Sequence, residues 1–280
     1  MLRVFVSSPK LFSFLNVFEV QAYGLFFVVG LVCLVALLLV DAPKKLGVAP
    51  EHLLDVVLFS LIAGLFGARL LYVFEFPELL NQSIFTILDP RAGGLSLLGG
   101  LVAAPVAGFI ACRRIGISGL AFLDLAALYA PVFDLFGRLG CFFGGCCYGM
   151  AAKTLCSVVY VDSSVAAPVG IDLFPVQLLA AVTFLGLFCF LLVSKFILHK
   201  ARINPLGCIT ALYFVGAGFI RFFLDFFRAD RSATLLELKF GGLAVLITWY
   251  QIISLMISLL ALASFLGFLL RAKSLSSEFA

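Results

Sequence analysis

Charge is scarce in this chain. Asp, Glu, Lys and Arg make up 12% of its 280 residues, hydrophobic residues make up 64%, and histidine occurs only twice. Soluble globular domains are about a quarter charged and about half apolar, so that class is excluded. A mean hydropathy of +1.21 fits a polytopic membrane protein whose solvent is lipid. The net charge of +4 is too small to suggest a nucleic-acid partner; in a membrane chain the placement of Lys and Arg carries more information than their sum. A clean small-x-small cleavage site is also missing after the first apolar run, Gly24 to Val40. That run therefore reads as a retained span and not as a signal peptide. The sequence has no attached soluble domain and no short internal repeat.

What is there is a series of apolar stretches, each of the length, about 20 residues, that crosses a bilayer core. They fall near residues 20–40, 53–75, 94–112, 120–140, 174–194, 206–228 and 242–270. The expected fold is all-α: a polytopic membrane protein with seven transmembrane helices, forming one transmembrane domain over 1–280 with an extracytoplasmic connecting loop at 141–173. Ser60, Gly64, Gly67 and Ala68 recur at helical spacing in the second stretch, a pattern that lets helix backbones approach closely.

Lys44, Lys45, Arg113, Arg114, Lys195, Lys200, Arg202, Arg271 and Lys273 fall in the odd-numbered connections and the C-terminus. Arg3, Lys10, Arg91, Lys153, Arg231 and Lys239 fall on the other side. The excess of positive charge places the C-terminus in the cytoplasm and the N-terminus outside. With that orientation, Arg69, Arg138, Arg221 and Arg228 all lie within spans and in their outer parts, and Tyr23 and Gln177 lie near outer mouths. A charge inside a bilayer costs about 2.5 kcal/mol or more unless it pairs or meets water, so this convergence marks a functional region.

The stretch "FIRFFLDFFRAD" holds Arg221, Asp225 and Arg228 at i, i+4 and i+7, one face of a helix. A buried ion pair that locks helix packing is the plain reading. The sharper one is a phosphate clamp, in which two guanidiniums share one carboxylate and keep forked donors for a planar anion. Arg138 has Asp134 four residues earlier and a glycine-rich turn, Gly140, Gly144, Gly145 and Gly149, directly after it. Asp55 and Asp124 read as helix-end caps.

Of the eight cysteines, Cys33, Cys112, Cys189 and Cys208 lie in or beside apolar stretches and read as small hydrophobes. Cys141, Cys146, Cys147 and Cys156 cluster. They admit four readings: packing, a disulfide outside the membrane (Cys156 being one possible partner), a metal site, or nucleophiles activated by the Arg138 charge. The C-x4-C-C spacing, with His52 and His199 on the other side, argues against metal.

These segments resemble the prolipoprotein diacylglyceryl transferase family. "GRLGCFFGGCCYG" is similar to that family's signature, G-R-x-G-N-F-x-N-x-E-x-x-G, and "GGLSLLGGL" to its S-x-H-G-G-L segment. "AYGL" at Ala22–Leu25, "GARLLY" at Gly67–Tyr72, "FPVQL" at Phe174–Leu178 and "RFFLDFFR" at Arg221–Arg228 resemble further family segments in the family's order. The resemblance implies seven helices in a bacterial plasma (inner) membrane. It also implies transfer of the diacylglyceryl group of phosphatidylglycerol to the lipobox cysteine thiol of a prolipoprotein, releasing glycerol phosphate. No cofactor and no metal is implied. Carried over by motif, Arg138 and Arg221 hold the headgroup phosphate and Asp225 orients Arg221. Tyr23, Arg69, Gln177 and Arg228 join the substrate site, which Gly99, Gly100 and Gly149 shape. The chain departs from the pattern at Leu98, where the family has His, and at Cys141, Gly144 and Cys146, where it has Asn, Asn and Glu. Cys146 is therefore a candidate catalytic residue. Two other functions remain open: a divergent paralogue using Cys146 or Cys147 with another acceptor, and a non-catalytic lipid-binding or transport protein.

Overall fold

A computed structural model describes residues 2–6, 10–14, 18–81, 94, 96–152, 156–201, 206–230, 234–240 and 243–278. Arg91, Lys153, Arg202 and Arg231, used above for orientation, lie outside them, as does most of "DPRAGGLSL". The described residues form seven α-helices: α1 (Ala22–Leu46), α2 (Pro50–Glu75), α3 (Leu97–Arg114), α4 (Gly119–Gly144), α5 (Val176–Lys200), α6 (Cys208–Asp225) and α7 (Trp249–Glu278). Six of them, all but α3, are long and apolar enough to cross a membrane. Only 11% of the apolar window is buried in α1 and in α7, which leaves those surfaces to lipid.

Short strands were not expected. β1 (Leu2–Val6) pairs in parallel with β4 (Cys156–Tyr160), β2 (Lys10–Phe14) pairs with β3 (Phe18–Gln21), and β5 (Thr234–Phe240) pairs with β6 (Leu243–Thr248). The seventh apolar stretch, expected from residue 242, therefore begins as a strand, and its helix starts at Trp249. The loop expected from residue 141 begins later, because α4 continues to Gly144.

Two compact units divide the chain: Met1–Leu34 with Ala127–Ala280, and Val35–Ala126. In the second unit α2 packs on α3 through the small residues singled out above. A Cβ on Gly67 would strike Ala103 and the Gly99 backbone, one on Gly99 would strike the Gly67 carbonyl, and Gly64 meets Ala104. Such close approach is open only to residues with little or no side chain. Neither expected aspartate cap is a cap. α2 starts from Ala49 with Pro50 in its first turn, leaving Asp55 further in. At α4 the Ser118 hydroxyl accepts from the Ala121 N–H, the bond an N-cap makes.

In the first unit a small apolar core of Val6, Phe142, Val158, Tyr160, Ala167 and Leu173 joins β1, β4 and the end of α4. Asp172 ties this layer together, accepting from Arg3 at 2.8 Å and from the Ser157 hydroxyl at 2.9 Å. α6 and α7 approach closely where Gly218 lies against the Ser254 carbonyl and Ser258.

Candidate active site

Arg138 comes from α4, Arg221 from the last turns of α6, and Arg228 from the chain just beyond α6. All three line one pocket, together with Cys147 and Gln177. The remaining wall is apolar: Val176, Ala180 and Leu224. Among the described residues, three guanidiniums and no carboxylate thus border this space. α5 supplies Val176 and Gln177 from its first turn and Ala180 from the next, and the positive end of a helix dipole favours an anion.

Each guanidinium is held differently. Arg221 Nη2 lies 3.5 Å from Asp225 Oδ1, and its Cζ stands 5.6 Å from the Tyr250 ring centre. Arg228 forms a forked pair with Asp230, Nε to Oδ1 at 3.0 Å and Nη2 to Oδ2 at 3.2 Å. The helix-face reading, with Arg221 and Arg228 both flanking Asp225, needs correction. α6 ends at Asp225, and Arg228 pairs with Gly149 in a β-bridge flanked by Met150 N–H to Phe227 O (2.9 Å) and Ala229 N–H to Tyr148 O (3.0 Å). Gly149 therefore acts through its backbone, and a Cβ there would strike the Phe174 carbonyl. Arg138 Cζ lies 5.8 Å from the Phe184 ring centre. Its expected partner Asp134 accepts instead from the Tyr213 hydroxyl at 2.8 Å, and among the described residues Arg138 has no carboxylate in ion-pair range.

Asp225 is 2% exposed, and a buried carboxylate needs donors. Besides Arg221 it has the Thr248 hydroxyl, which donates to Oδ2 at 2.8 Å. Thr248 opens α7 in a capping box: Gln251 N–H donates to Thr248 Oγ1 (3.3 Å), and Thr248 N–H donates to Gln251 Oε1 (2.9 Å). Gln251 Nε2 also reaches the Phe222 carbonyl at 3.3 Å. Neither Thr248 nor Gln251 was singled out from the sequence, although T-W-Y-Q before an apolar run has the capping-box spacing.

Gln177, 2% exposed, donates through Nε2 to the Cys146 carbonyl (2.9 Å) and to the Tyr160 hydroxyl (3.2 Å). Tyr160 passes the chain on to the Phe142 carbonyl at 2.8 Å, and burial pushes its phenol above the ordinary range. Tyr160 was not expected either. Together these bonds fix the turn that follows α4. There Gly145 (φ 66°) and Cys147 (φ 53°) are left-handed, and Cys146 N–H returns to the Cys141 carbonyl at 3.2 Å.

That turn gathers the Sγ atoms of Cys141, Cys146 and Cys147 within 4.8 Å of one another. Sequence spacing argued against a metal-type cluster, but the turn creates a grouping that spacing does not display. All eight cysteines are free thiols, so of the four readings the disulfide is not seen, and Cys156 lies in β4. Hydrogen bonds from Cys141 and Cys146, helped by the charges of Arg228 and Arg138, pull the Cys147 thiol below its ordinary range despite burial. Hydrogen bonds with Cys141 and Cys147, together with partial burial, push the Cys146 thiol up. Cys147 lines the arginine pocket, whereas Cys146 belongs only to the thiol group.

Tyr23, Arg69, Gly99 and Gly100 are not among the residues of this lining. Tyr23, in the first turn of α1, is 44% exposed and presents its backbone to Gly140 and its Cβ to Gly144. Arg69 is 4% exposed and donates to the Gly94 carbonyl at 2.9 Å within the second unit. Gly99 and Gly100 belong to the α2–α3 contact of that unit. Leu98 is in the first turn of α3, and its side chain is outside the described residues.

The family model described as prolipoprotein diacylglyceryl transferase matches residues 9–266. The chain belongs to this family. Among its relatives, a protein of Clostridium tetani is 28% identical over 224 residues, 79% of this chain and 86% of the relative. One of Dehalococcoides mccartyi is 29% identical over 240 residues, 83% and 90% of the two chains. One of Streptococcus pneumoniae is 28% identical over 246 residues, again 83% and 90%. All three are named phosphatidylglycerol–prolipoprotein diacylglyceryl transferase. The segment that resembles the family's signature forms the end of α4 and the thiol-bearing turn, where Arg138 and Cys147 enter the pocket.

Proposed function

We propose that this chain is a phosphatidylglycerol-dependent diacylglyceryl transferase acting on the lipobox cysteine of prolipoproteins in the bacterial plasma (inner) membrane. It crosses the membrane seven times, α3 included, with the N-terminus outside and the C-terminus in the cytoplasm. The observation that carries this reading is the shared pocket of Arg138, Arg221 and Arg228.

The acceptor sulfur attacks the glyceryl carbon that bears the phosphate ester. A C–S bond forms, the C–O bond breaks, and the phosphate oxygen takes the electron pair as glycerol phosphate leaves. The thiol proton passes to water. Negative charge grows on the leaving oxygen, where fixed guanidiniums stabilise it without reorganising. Asp225, held by Thr248, orients Arg221, and Asp230 orients Arg228. Tyr23, at the exposed start of α1, meets the acyl chains. Gln177 and Gly149 hold the walls, while Arg69, Gly99 and Gly100 stabilise the α2–α3 unit.

The test is labelling of a lipobox peptide from phosphatidylglycerol by the chain in proteoliposomes. Arg138→Ala and Arg221→Ala should each reduce transfer by about two to three orders of magnitude. Transfer surviving both changes overturns the reading.

A further inference from the structure

The transfer needs a deprotonated acceptor sulfur, yet among the described residues the pocket lining holds no imidazole and no carboxylate to take the proton. It holds arginines, an amide, apolar groups and one member of the thiol group. We propose that Cys141, Cys146 and Cys147 form a three-thiolate site for one zinc-type divalent cation, whose open fourth position receives the acceptor thiol. This inference rests on the transferase reading.

The geometry suits such an ion. Zinc–sulfur bonds of about 2.3 Å put ligand sulfurs about 4 Å apart, and here all three lie within 4.8 Å. The cluster is set up in advance by its backbone. Cys141 is fixed by the last helical turn of α4, the Cys146 carbonyl is held by buried Gln177, and Cys147 sits in a left-handed conformation rare for a residue with a side chain. Such strained backbone concentrates at functional sites.

Thiolates select soft or borderline cations, and three protein ligands with one open position is the pattern of catalytic zinc. A thiol that coordinates such an ion loses its proton outright. Here that proton leaves to water. The metal-held sulfur then forms the C–S bond, the C–O bond breaks, and the phosphate departs with the electron pair. The cation keeps its charge throughout, so no oxidant or reductant is needed. Cys147 shares its wall with Arg138 and Arg228, which offset the surplus negative charge of three thiolates on a divalent ion.

The experiment uses the full chain in lipid nanodiscs, reduced and stripped with a chelator, with Co2+ as the spectroscopic probe. One cobalt per chain should bind with thiolate charge-transfer bands and the intense d–d bands of a tetrahedral site. Cys141→Ser, Cys146→Ser and Cys147→Ser should each weaken binding by at least about tenfold, since even outer-shell changes cost that much. Cys189→Ser should leave it unchanged. A lipobox peptide should shift the d–d bands, and the same peptide with Ser for Cys should not. Unaltered gel-filtration profiles and helical circular dichroism establish that the serine variants fold.

Failure to bind stoichiometrically, thiolate bands that persist in the triple serine variant, or bands indifferent to the peptide thiol would each overturn the inference. Undiminished transfer by chelator-stripped protein would overturn it too while sparing the transferase reading. Conversely, an Arg221→Ala protein that keeps its cobalt spectrum but loses transfer supports both. A wild-type chain that binds cobalt and the peptide thiol yet transfers nothing leaves the cation site standing and sinks the transferase reading.

Discussion

The Thr248 hydroxyl donates to Asp225 Oδ2 at 2.8 Å, joining the start of α7 to the carboxylate that pairs with Arg221. Both residues are at most 2% exposed, so neither can replace the other's bond with water. Thr248→Val should cost about 1–3 kcal/mol through a lost cap and an under-satisfied buried carboxylate. It should also raise KM for phosphatidylglycerol, because Arg221 loses its orientation. Thr248→Ser should restore both, and thermal unfolding with steady-state transfer measures the pair. A stability loss with normal KM would confine Thr248 to helix capping.

Asp230→Asn tests the forked pair on Arg228 separately. The pair is partly exposed and its contribution to stability is accordingly small, about 0–1 kcal/mol. Its loss should therefore be felt in lipid affinity before it is felt in folding. KM for phosphatidylglycerol should rise about two- to fivefold with little change in Tm.

Gln177→Leu removes the donor to the Cys146 carbonyl and to the Tyr160 hydroxyl, leaving buried acceptors without it. The expected cost is about 1–3 kcal/mol. Transfer should fall because the turn carrying Cys147 is no longer pinned. Gln177→Glu, which cannot donate when ionised, should fall at least as far. Unfolding midpoints and activity per folded molecule measure both variants.

Gly99→Ala decides between packing and substrate roles for that glycine. Its new Cβ would meet the Gly67 carbonyl, so α2 and α3 must separate, at a cost of about 1–3 kcal/mol. The Tm should drop while kcat per folded molecule holds. Gly24→Ala, with nothing within 4 Å of the added carbon, serves as the control and should change neither.

Much of this architecture was legible before any coordinate. Hydrophobic runs of spanning length found each of the seven helices, because lipid leaves a backbone almost no other way to satisfy its polar groups, but ends of α1, α5 and α7 lie six to eight residues from the expected bounds. The small residues of α2 forecast a close helix contact, and the structure supplies α3 as the partner. Arginine within an apolar run is costly wherever it sits, so Arg138 and Arg221 stood out without knowledge of their neighbours. The strands of the connecting segments were missed, although "CSVVYV" carries the β-branched run that favours β4.

Composition and local pattern, acting through the cost of unpaired polar groups in lipid, determined that this chain spans a membrane as helices and which charges are expensive enough to mean something. Only the tertiary structure decided which partner each charge takes: Asp134 went to Tyr213, Arg228 to Asp230, and Asp225 to Thr248 as well as Arg221. It also decided that three thiols meet beside three guanidiniums. A hydrogen bond or a coordination site depends on distances of a few ångströms between distant segments of the chain, and helical periodicity cannot encode where those segments meet.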